Sequence, residues 1–326
     1  MTVICLSIVC VIFLVYVYLK GSGGKQAPTI TPAIPNITQT YRGSPTITLS
    51  VKKSDFSYID KLPFLEISQE PLTDTYARSV AVNLGFQGDP VIINDTIDGK
   101  TYFWKSNGGT LFIYLNSAKI RYTSGNSLNT VNKQLSDQAM LAVVKNSLIS
   151  NKILTDGLFT VNKVTYLTQD PVNESFKETS RENASVFQVN IYPGSVTYGI
   201  LATNSTENAN YVQLTKDGNI YSLQLIVFGG VHDGLTNYQL KNYDQIQASL
   251  NNAVLISLGG VEMPLSQLST DAVKEVNIDK IEIAYLIDSP TSTTLQPVYK
   301  LSGTTTLPNS NTEISAIFYL PALVGN

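Results

Sequence analysis

Side chains suited to catalysis are scarce in this chain, and the one candidate pair is His232 with the adjacent Asp233. A histidine beside a carboxylate can serve as the general base for a serine nucleophile. Neighbouring residues in a turn rarely form such a pair, and the sequence contains no Gly-x-Ser-x-Gly elbow to present the serine. We therefore predict that His232 is an exposed turn residue, that the protein is not an enzyme and that it has no catalytic residue.

Ligands for a metal or a cofactor are equally few. Besides His232 the chain offers Cys5 and Cys10, and both lie inside an apolar stretch. Asp217 and Asp233 are isolated turn residues, whereas a calcium loop needs carboxylates at alternating positions. No glycine pair continues into a phosphate-binding turn before a helix. The sequence predicts no metal site and no cofactor.

The composition favours folded domains over a disordered chain or a nucleic-acid-binding protein. The 326 residues correspond to about two domains. Hydrophobic residues make up 43% and charged residues only 14%, which excludes disorder for most of the chain. The 22 basic and 25 acidic side chains give a net charge of −3, so we expect no nucleic-acid partner.

The N-terminus reads as a membrane anchor. Val3–Leu19 carries no charge, and its length as a helix is about 25 Å, near the lower limit for a bilayer core. Tyr16 and Tyr18 stand at the end of the stretch, where aromatic rings prefer the headgroup level, and Lys20 follows. We predict a transmembrane helix over residues 1–20 that binds the lipid bilayer.

The segment allows two other interpretations. Gly21 and Gly23 have the spacing of a signal-peptidase site, but the apolar run is longer than that of a typical signal peptide and no basic region precedes it. A lipoprotein anchor at Cys5 or Cys10 is disfavoured by the bulky residue before each cysteine. We favour the uncleaved anchor and keep cleavage as the alternative.

Within the anchor, Cys5, Ser7 and Cys10 are the small polar residues. Small residues allow transmembrane helices to approach closely, so these three are candidates for contact with the helix of a membrane partner. The alternative is a helix that faces lipid on all sides and carries small residues incidentally.

The charge bias alone does not fix the orientation. Lys20, Lys25 and Arg42 follow the helix, and a literal positive-inside count would place the large part in the cytoplasm. That rule applies to short loops, however, and long domains are translocated largely regardless of charge. The low charge, the many Asn, Thr and Ser residues and the lack of cysteine after Cys10 favour a cell-membrane, single-pass protein with its C-terminal domains outside the cytoplasm.

The remainder of the chain predicts an α+β fold. Residues 21–45 form a Pro/Gly-rich linker, and residues 46–153 and 154–326 form two antiparallel-sheet domains with a few short helices. Thr73, Ser136 and Asn242 are expected as helix N-caps. Between these helices, hairpin signals such as Lys216-Asp217-Gly218 separate short runs with strand character.

The C-terminal part carries a resemblance to a known family. Lys280–Leu286 reads KIEIAYL, and Leu295–Leu301 reads LQPVYKL before Gly303. This pair of segments resembles the C-terminal hairpin of the YycH/YycI-type two-component regulatory proteins, whose pattern is AYY…LxPVYxFxG. Similar hairpins occur in PepSY-like domains and in uncharacterised single-pass bacterial surface proteins.

The resemblance implies a membrane-anchored extracytoplasmic module that acts by contacting other proteins and has no catalytic residues. In the family the partner is a sensor histidine kinase, and the contact includes the membrane helices. This chain differs in having almost no tail before the apolar segment and in its Asn-rich, weakly charged composition. These differences concern the identity of the partner rather than the fold.

The hairpin itself has a physical interpretation. Alternate residues of Lys280–Leu286 are apolar, so one face of this strand is buried. Pro297 cannot donate a backbone hydrogen bond, which indicates a strand edge or a bulge at this position. A strand of a partner could pair with such an edge. The alternative is that the proline simply prevents pairing. The candidate protein contacts are Tyr285, Leu295, Pro297 and Tyr299.

The sequence therefore favours a membrane-anchored binding or regulatory module, YycI-like in its hairpin, that acts on a membrane partner such as a sensor kinase. One alternative is a cell-surface structural or adhesive protein, suggested by the Pro-rich stalk and the Asn/Thr/Ser-rich surface. A third is an extracellular hydrolase with paired carboxylates in a deep cleft.

Overall fold

A computed structural model of the chain describes residues 35, 37, 39–68, 70–96, 98–125, 128, 135–169, 176–194, 196–203, 209–259, 261, 263–287, 292–308 and 313–325. The predicted anchor, with Cys5, Ser7 and Cys10, lies outside these residues, as does most of the predicted linker. Within the described ranges no helix is both long and apolar enough to cross a bilayer.

The helices begin where the capping residues predict. Side-chain oxygens of Thr73, Ser136 and Asn242 each accept a hydrogen bond from the backbone N–H three residues later, and Gln245 completes a capping box with Asn242. The predicted N-caps are therefore confirmed. The helices that follow are α1 (Asp74–Asn83), α2 (Asp137–Ser150) and α3 (Tyr243–Ala248).

Strands dominate the part of the chain that the structure describes. In chain order they are β1 (Thr46–Leu49), β2 (Lys61–Ser68), β3 (Val91–Asp95), β4 (Gly99–Ser106), β5 (Gly109–Tyr114), β6 (Lys119–Ser124), β7 (Phe159–Gln169), β8 (Phe176–Glu178), β9 (Val186–Pro193), β10 (Gly199–Ala202), β11 (Tyr211–Leu214), β12 (Ile220–Ile226), β13 (Gly230–Gln239), β14 (Val254–Leu258), β15 (Glu275–Ile287), β16 (Thr294–Thr306) and β17 (Glu313–Pro321). These strands form two sheets.

One sheet has nine strands in the order β3-β4-β5-β6-β12-β11-β9-β7-β8, and every neighbouring pair is antiparallel. Helices α1 and α2 cover one of its faces. Val80 of α1, Met140 and Val144 of α2, and Leu111 and Val189 of the sheet belong to the same buried cluster. This core stabilises the sheet on one side and leaves its other face free to meet the second sheet.

The second sheet has eight strands and is built around β15 and β16, each 13 residues long. β15 pairs antiparallel with β16 and parallel with β1 and β10, while β16 also pairs with β17 and with the end of β2. Helix α3 packs on one face through Ile246, beside Leu301 and Phe318. The expected β-rich architecture of two mainly antiparallel sheets with few helices is thus confirmed.

The two sheets meet through a separate apolar cluster. Tyr192 from β9 packs in one cluster with Leu65, Ile200, Tyr285 and Leu295 from the eight-stranded sheet. Both sheets take strands from both sides of the predicted boundary at residues 153 and 154, and the division into two sequential domains stays a prediction.

Packing of the folded part begins before the first strand. Tyr41 lies in the predicted linker, yet its ring is almost completely buried. Its hydroxyl donates to the carbonyl oxygen of Thr270 at 2.8 Å and accepts from the amide of Val273 at 3.0 Å. Tyr41 therefore joins the start of the folded part to the loop before β15.

Candidate functional site

The four predicted contact residues of the hairpin face the interior. Tyr285, Leu295, Pro297 and Tyr299 are all buried. The Tyr285 hydroxyl donates to the carbonyl of Pro63 at 3.1 Å and the Tyr299 hydroxyl to the carbonyl of Lys241 at 2.7 Å, and burial raises the pKa of both phenols. These side chains stabilise the interior, and contact between them and a partner stays a prediction.

Pro297 stands where β16 changes its neighbour. Residues Thr294 and Leu295 pair with β2, and from Val298 onward the same side of β16 pairs with β17. A residue without an N–H group fits this junction because it interrupts neither ladder. The proline therefore lies inside the sheet, and the strand edge expected at this position is not there.

Within the described residues, a stretch of β15 has no strand beside it on one side. On the side away from β16, β15 pairs with β1 over residues 275–278 and with β10 over residues 284–287. The segment between these short strands, centred on Lys280 and Glu282, borders a cleft between the two sheets. The cleft has a volume of about 400 Å³.

The polar side of the hairpin forms one wall of this cleft. Lys280 and Glu282 make an ion pair, with the Nζ and Oε1 atoms 3.0 Å apart. Glu282 also stands directly opposite Lys300 on β16, and all three residues line the cleft. Ile281 and Ile283, which alternate with these residues along β15, are half-buried and pack against the core of the eight-stranded sheet, and Ile283 also lines the cleft.

The opposite wall comes from the face of the nine-stranded sheet that points away from α1 and α2. It consists mainly of polar side chains from β7, β8 and β9, with Tyr198 from the loop before β10 closing one end. The main members are Lys163, Thr165, Glu178, Gln188, Asn190 and Tyr192. Basic and acidic groups therefore occur on both walls.

A chain of amide hydrogen bonds orients part of this wall. Gln213 donates from Nε2 to Oε1 of Gln188 at 3.1 Å and accepts from the Ser222 hydroxyl at 2.6 Å. Gln188 in turn donates to Oδ1 of Asn190 at 3.4 Å. Networks of this kind hold polar side chains in defined positions, so the orientation of Gln188 and Asn190 on this wall is fixed by their hydrogen bonds.

The two walls also interact electrostatically. Burial raises the pKa of the Tyr192 phenol, a hydrogen bond with Asn190 lowers it, and the negative charge of Glu282 raises it again. With donors, acceptors, charges of both signs and tyrosine rings, the cleft is suited to hold a polar ligand or a polar segment of a partner.

His232 lies on β13, opposite Glu66 of β2, and is exposed. The expected exposure is confirmed, whereas the expected turn is wrong because β13 continues past this residue as a strand with a register shift after Asp233. Among the described residues no group of three or more His, Cys, Asp or Glu side chains is placed to hold a metal ion.

Comparisons with known proteins include a distant structural neighbour. No protein-family model matches the chain. No curated protein matches it. A crystal structure of an uncharacterized protein from Eubacterium rectale ATCC 33656 is similar at a TM-score of 0.48 and 11% sequence identity, covering 82% of this chain and 85% of that chain. The function must be inferred from the geometry of the cleft.

Proposed function

We propose that this chain is a membrane-anchored extracytoplasmic binding module that regulates a membrane partner, such as a sensor kinase, through the cleft between its two sheets. In this proposal residues 1–20 form the transmembrane helix, and the two sheets lie outside the cytoplasm. The ligand of the cleft is a polar segment of the partner.

The observation that carries the proposal is the position of the hairpin. The segments that resemble YycH/YycI-type proteins, Lys280–Leu286 and Leu295–Leu301, bury apolar residues such as Tyr285 and Leu295, and their Lys280, Glu282 and Lys300 line the cleft. Next to these charges, between β1 and β10, no strand of the described part of the chain pairs with this side of β15. Charged side chains beside an open strand edge are suited to bind an extended peptide segment, because backbone and side chains contribute together.

The test is capture of the partner with the full anchored chain from native membranes. We expect the double variant Lys280→Ala/Glu282→Ala to lose most of the captured membrane protein, because both charges face the cleft. Glu275→Ala is the matched control, since Glu275 is an exposed residue of the same strand that lies outside this cleft. Equal capture by the double variant and the wild type would refute the cleft as the contact site.

The membrane anchor provides a second test of the proposed function. If the transmembrane helix contributes to regulation, replacing residues 1–20 with an unrelated single-pass helix reduces partner capture while the protein still reaches the membrane. A cell-surface adhesive protein would keep its function after the same exchange. Retention of full activity with the exchanged helix would therefore favour the adhesive alternative.

A further inference from the structure

A second cavity lies on the face of β15 that points away from the cleft. Ile281 and Ile283 alternate along the strand with the charged residues of the cleft wall, so their side chains point to the opposite face. There they line a cavity of about 260 Å³ together with Phe56, Tyr198 and Tyr299. We call this cavity the aromatic pocket.

Contacts within the fold hold the walls of the aromatic pocket in place. The rings of Phe56 and Tyr299 meet edge to face with their centroids 6.2 Å apart. The Tyr299 hydroxyl donates to the carbonyl of Lys241, so its ring remains as an apolar wall. Phe56 and Ile281 are only half-buried, and their apolar surface is open to a ligand. Because a protein cavity of about 150 Å³ binds benzene, the pocket has room for a side chain with a ring.

The aromatic pocket and the cleft meet at the edge of β15. Tyr198 and Ile283 line both cavities. Ile283 belongs to the interval 279–283, where no strand of the described part of the chain pairs with this side of β15. This interval is about 16 Å long in an extended strand. A ligand that lies along it therefore contacts both cavities at once.

The two faces of this edge determine the kind of ligand. The cleft side offers charged and amide side chains, whereas the pocket side offers apolar and aromatic ones. An extended peptide directs successive side chains to opposite sides, and its backbone can pair with β15 between them. A lipid or a sugar chain does not combine this alternation with a peptide backbone. The ligand that fits is an extended segment in which a large apolar residue stands between polar residues.

We propose that the partner segment bound at this edge places one large apolar or aromatic side chain in the aromatic pocket and the side chains before and after it in the cleft. This inference rests on the function proposed above, because it concerns the same partner segment. It adds a determinant of specificity, since the pocket selects the apolar residue and the cleft accepts its polar neighbours.

A pair of synthetic peptides tests the inference. One is acetyl-Thr-Thr-Phe-Thr-Thr-amide, and the other has Ser in place of Phe. Each is titrated into the full chain in phosphatidylcholine nanodiscs, and NMR follows ¹³C-labelled isoleucine methyl groups. We expect the Phe peptide to shift the signals of Ile281 and Ile283, which the variants Ile281→Val and Ile283→Val assign. The Ser peptide should bind at least about tenfold more weakly, because burial of a phenyl ring contributes more than the 1.4 kcal/mol that a factor of ten represents.

The variant Ser57→Trp tests the pocket within the protein. Ser57 is an exposed residue that lines the aromatic pocket, and an indole ring at this position would fill it. We expect this variant to abolish binding of the Phe peptide and to reduce capture of the partner from native membranes. Ser266→Trp is the matched control, because Ser266 is an exposed serine that lines neither cavity. Circular dichroism verifies that both variants fold.

Equal binding of the two peptides, or full capture of the partner by Ser57→Trp, would overturn the inference. If Lys280→Ala/Glu282→Ala loses capture while Ser57→Trp keeps it, the proposed function of the cleft stands and the role of the pocket fails. Full capture by both variants would refute both proposals. A dimer in analytical ultracentrifugation that Ser57→Trp dissociates would assign the pocket to a second copy of this chain and would also overturn the inference.

Discussion

Glu282 on β15 and Tyr192 on β9 belong to different sheets, and the carboxylate of Glu282 raises the pKa of the Tyr192 phenol across the cleft, in addition to the larger effect of burial. Both residues line the cleft. The two walls are therefore electrostatically coupled. A ligand that enters between them will change the environment of the Glu282 carboxylate and of the Tyr192 phenol.

Replacing Glu282 with Gln should lower the pKa of Tyr192, because the negative charge that opposes ionisation of the phenol is removed. The measurement is an NMR pH titration of ¹³C-labelled tyrosine rings, with Tyr192→Phe used to assign the signal. Glu275→Gln, which removes a carboxylate of the same strand outside the cleft, should leave the titration unchanged. An unaltered Tyr192 titration in Glu282→Gln would show that the walls are not coupled.

The glycine that ends the hairpin pattern should not tolerate a side chain. A Cβ atom at Gly303 would lie 2.1 Å from the carbonyl oxygen of Asn277 and 2.8 Å from the Cα of Ile278, both of which are backbone atoms. The register of β15 against β16 shifts beside this point, between Ile278 and Lys280. We expect Gly303→Ala to lower the free energy of unfolding by about 1–3 kcal/mol or more, measured by urea denaturation.

Gly199 in β10 is the matched control for this substitution. A Cβ atom there would meet nothing within 4 Å. Gly199→Ala should therefore change the free energy of unfolding by less than about 1 kcal/mol, with stabilisation as the expected sign. Similar destabilisation by the two substitutions would contradict the close approach of backbones at Gly303.

Lys241 should make the stability depend on pH. Its side chain is buried, and its Nζ donates to the carbonyl oxygens of Pro321 at 2.8 Å and Leu323 at 2.5 Å. Burial lowers the pKa of Lys241 to about 8, while the unfolded chain keeps a value near 10.5. Between these values the unfolded state binds more protons, so the free energy of unfolding rises with pH by up to about 1.4 kcal/mol per unit.

The variant Lys241→Met removes this contribution. The difference in free energy of unfolding between wild type and variant should be constant below pH 8 and should increase as the pH rises toward 10.5. Buried tyrosines, whose raised pKa values reduce stability above pH 10, are present in both proteins and cancel in the difference. A difference that stays flat across this range would show that Lys241 is not desolvated.

The proposed location can be tested with an introduced thiol. The natural cysteines, Cys5 and Cys10, lie in the predicted anchor, and Met263 is 51% exposed in the described part of the chain. The full-length variant Met263→Cys should react with a membrane-impermeant maleimide on intact cells, while the wild type should not. Labelling that appears only after lysis would place residue 263 on the cytoplasmic side.

Local features of the fold could be predicted because their causes lie within a few residues. The cap at Thr73 and the capping box of Asn242 with Gln245 need only neighbouring groups, and both helices begin as expected. Strand β2 escaped prediction because its partners, β13 and β16, are far away in the sequence and its Lys61–Ser68 segment has no regular alternation. Strand identity there depends on tertiary pairing rather than on local propensity.

Only one of the two walls of the cleft could be predicted from the sequence. The alternation over Lys280–Leu286 placed Lys280 and Glu282 on the face opposite Tyr285, which is the signal that locates the hairpin wall. The prediction singled out the conspicuous aromatic and proline residues, which are buried, and passed over the charged residues beside them. The other wall, with Gln188 as a member, depends on how two sheets pack and has no signal in its own segment.

The central claim, that the cleft contacts a membrane partner, is tested most directly by site-specific photo-crosslinking of the full anchored chain in intact cells. The photoreactive amino acid is placed at position 282 or, as a control, at position 275. Position 282 faces the cleft, whereas position 275 lies on the same strand outside it. The account predicts a crosslink to one membrane protein from position 282 and none from position 275. Crosslinks of equal yield from both positions, or from neither, would contradict it.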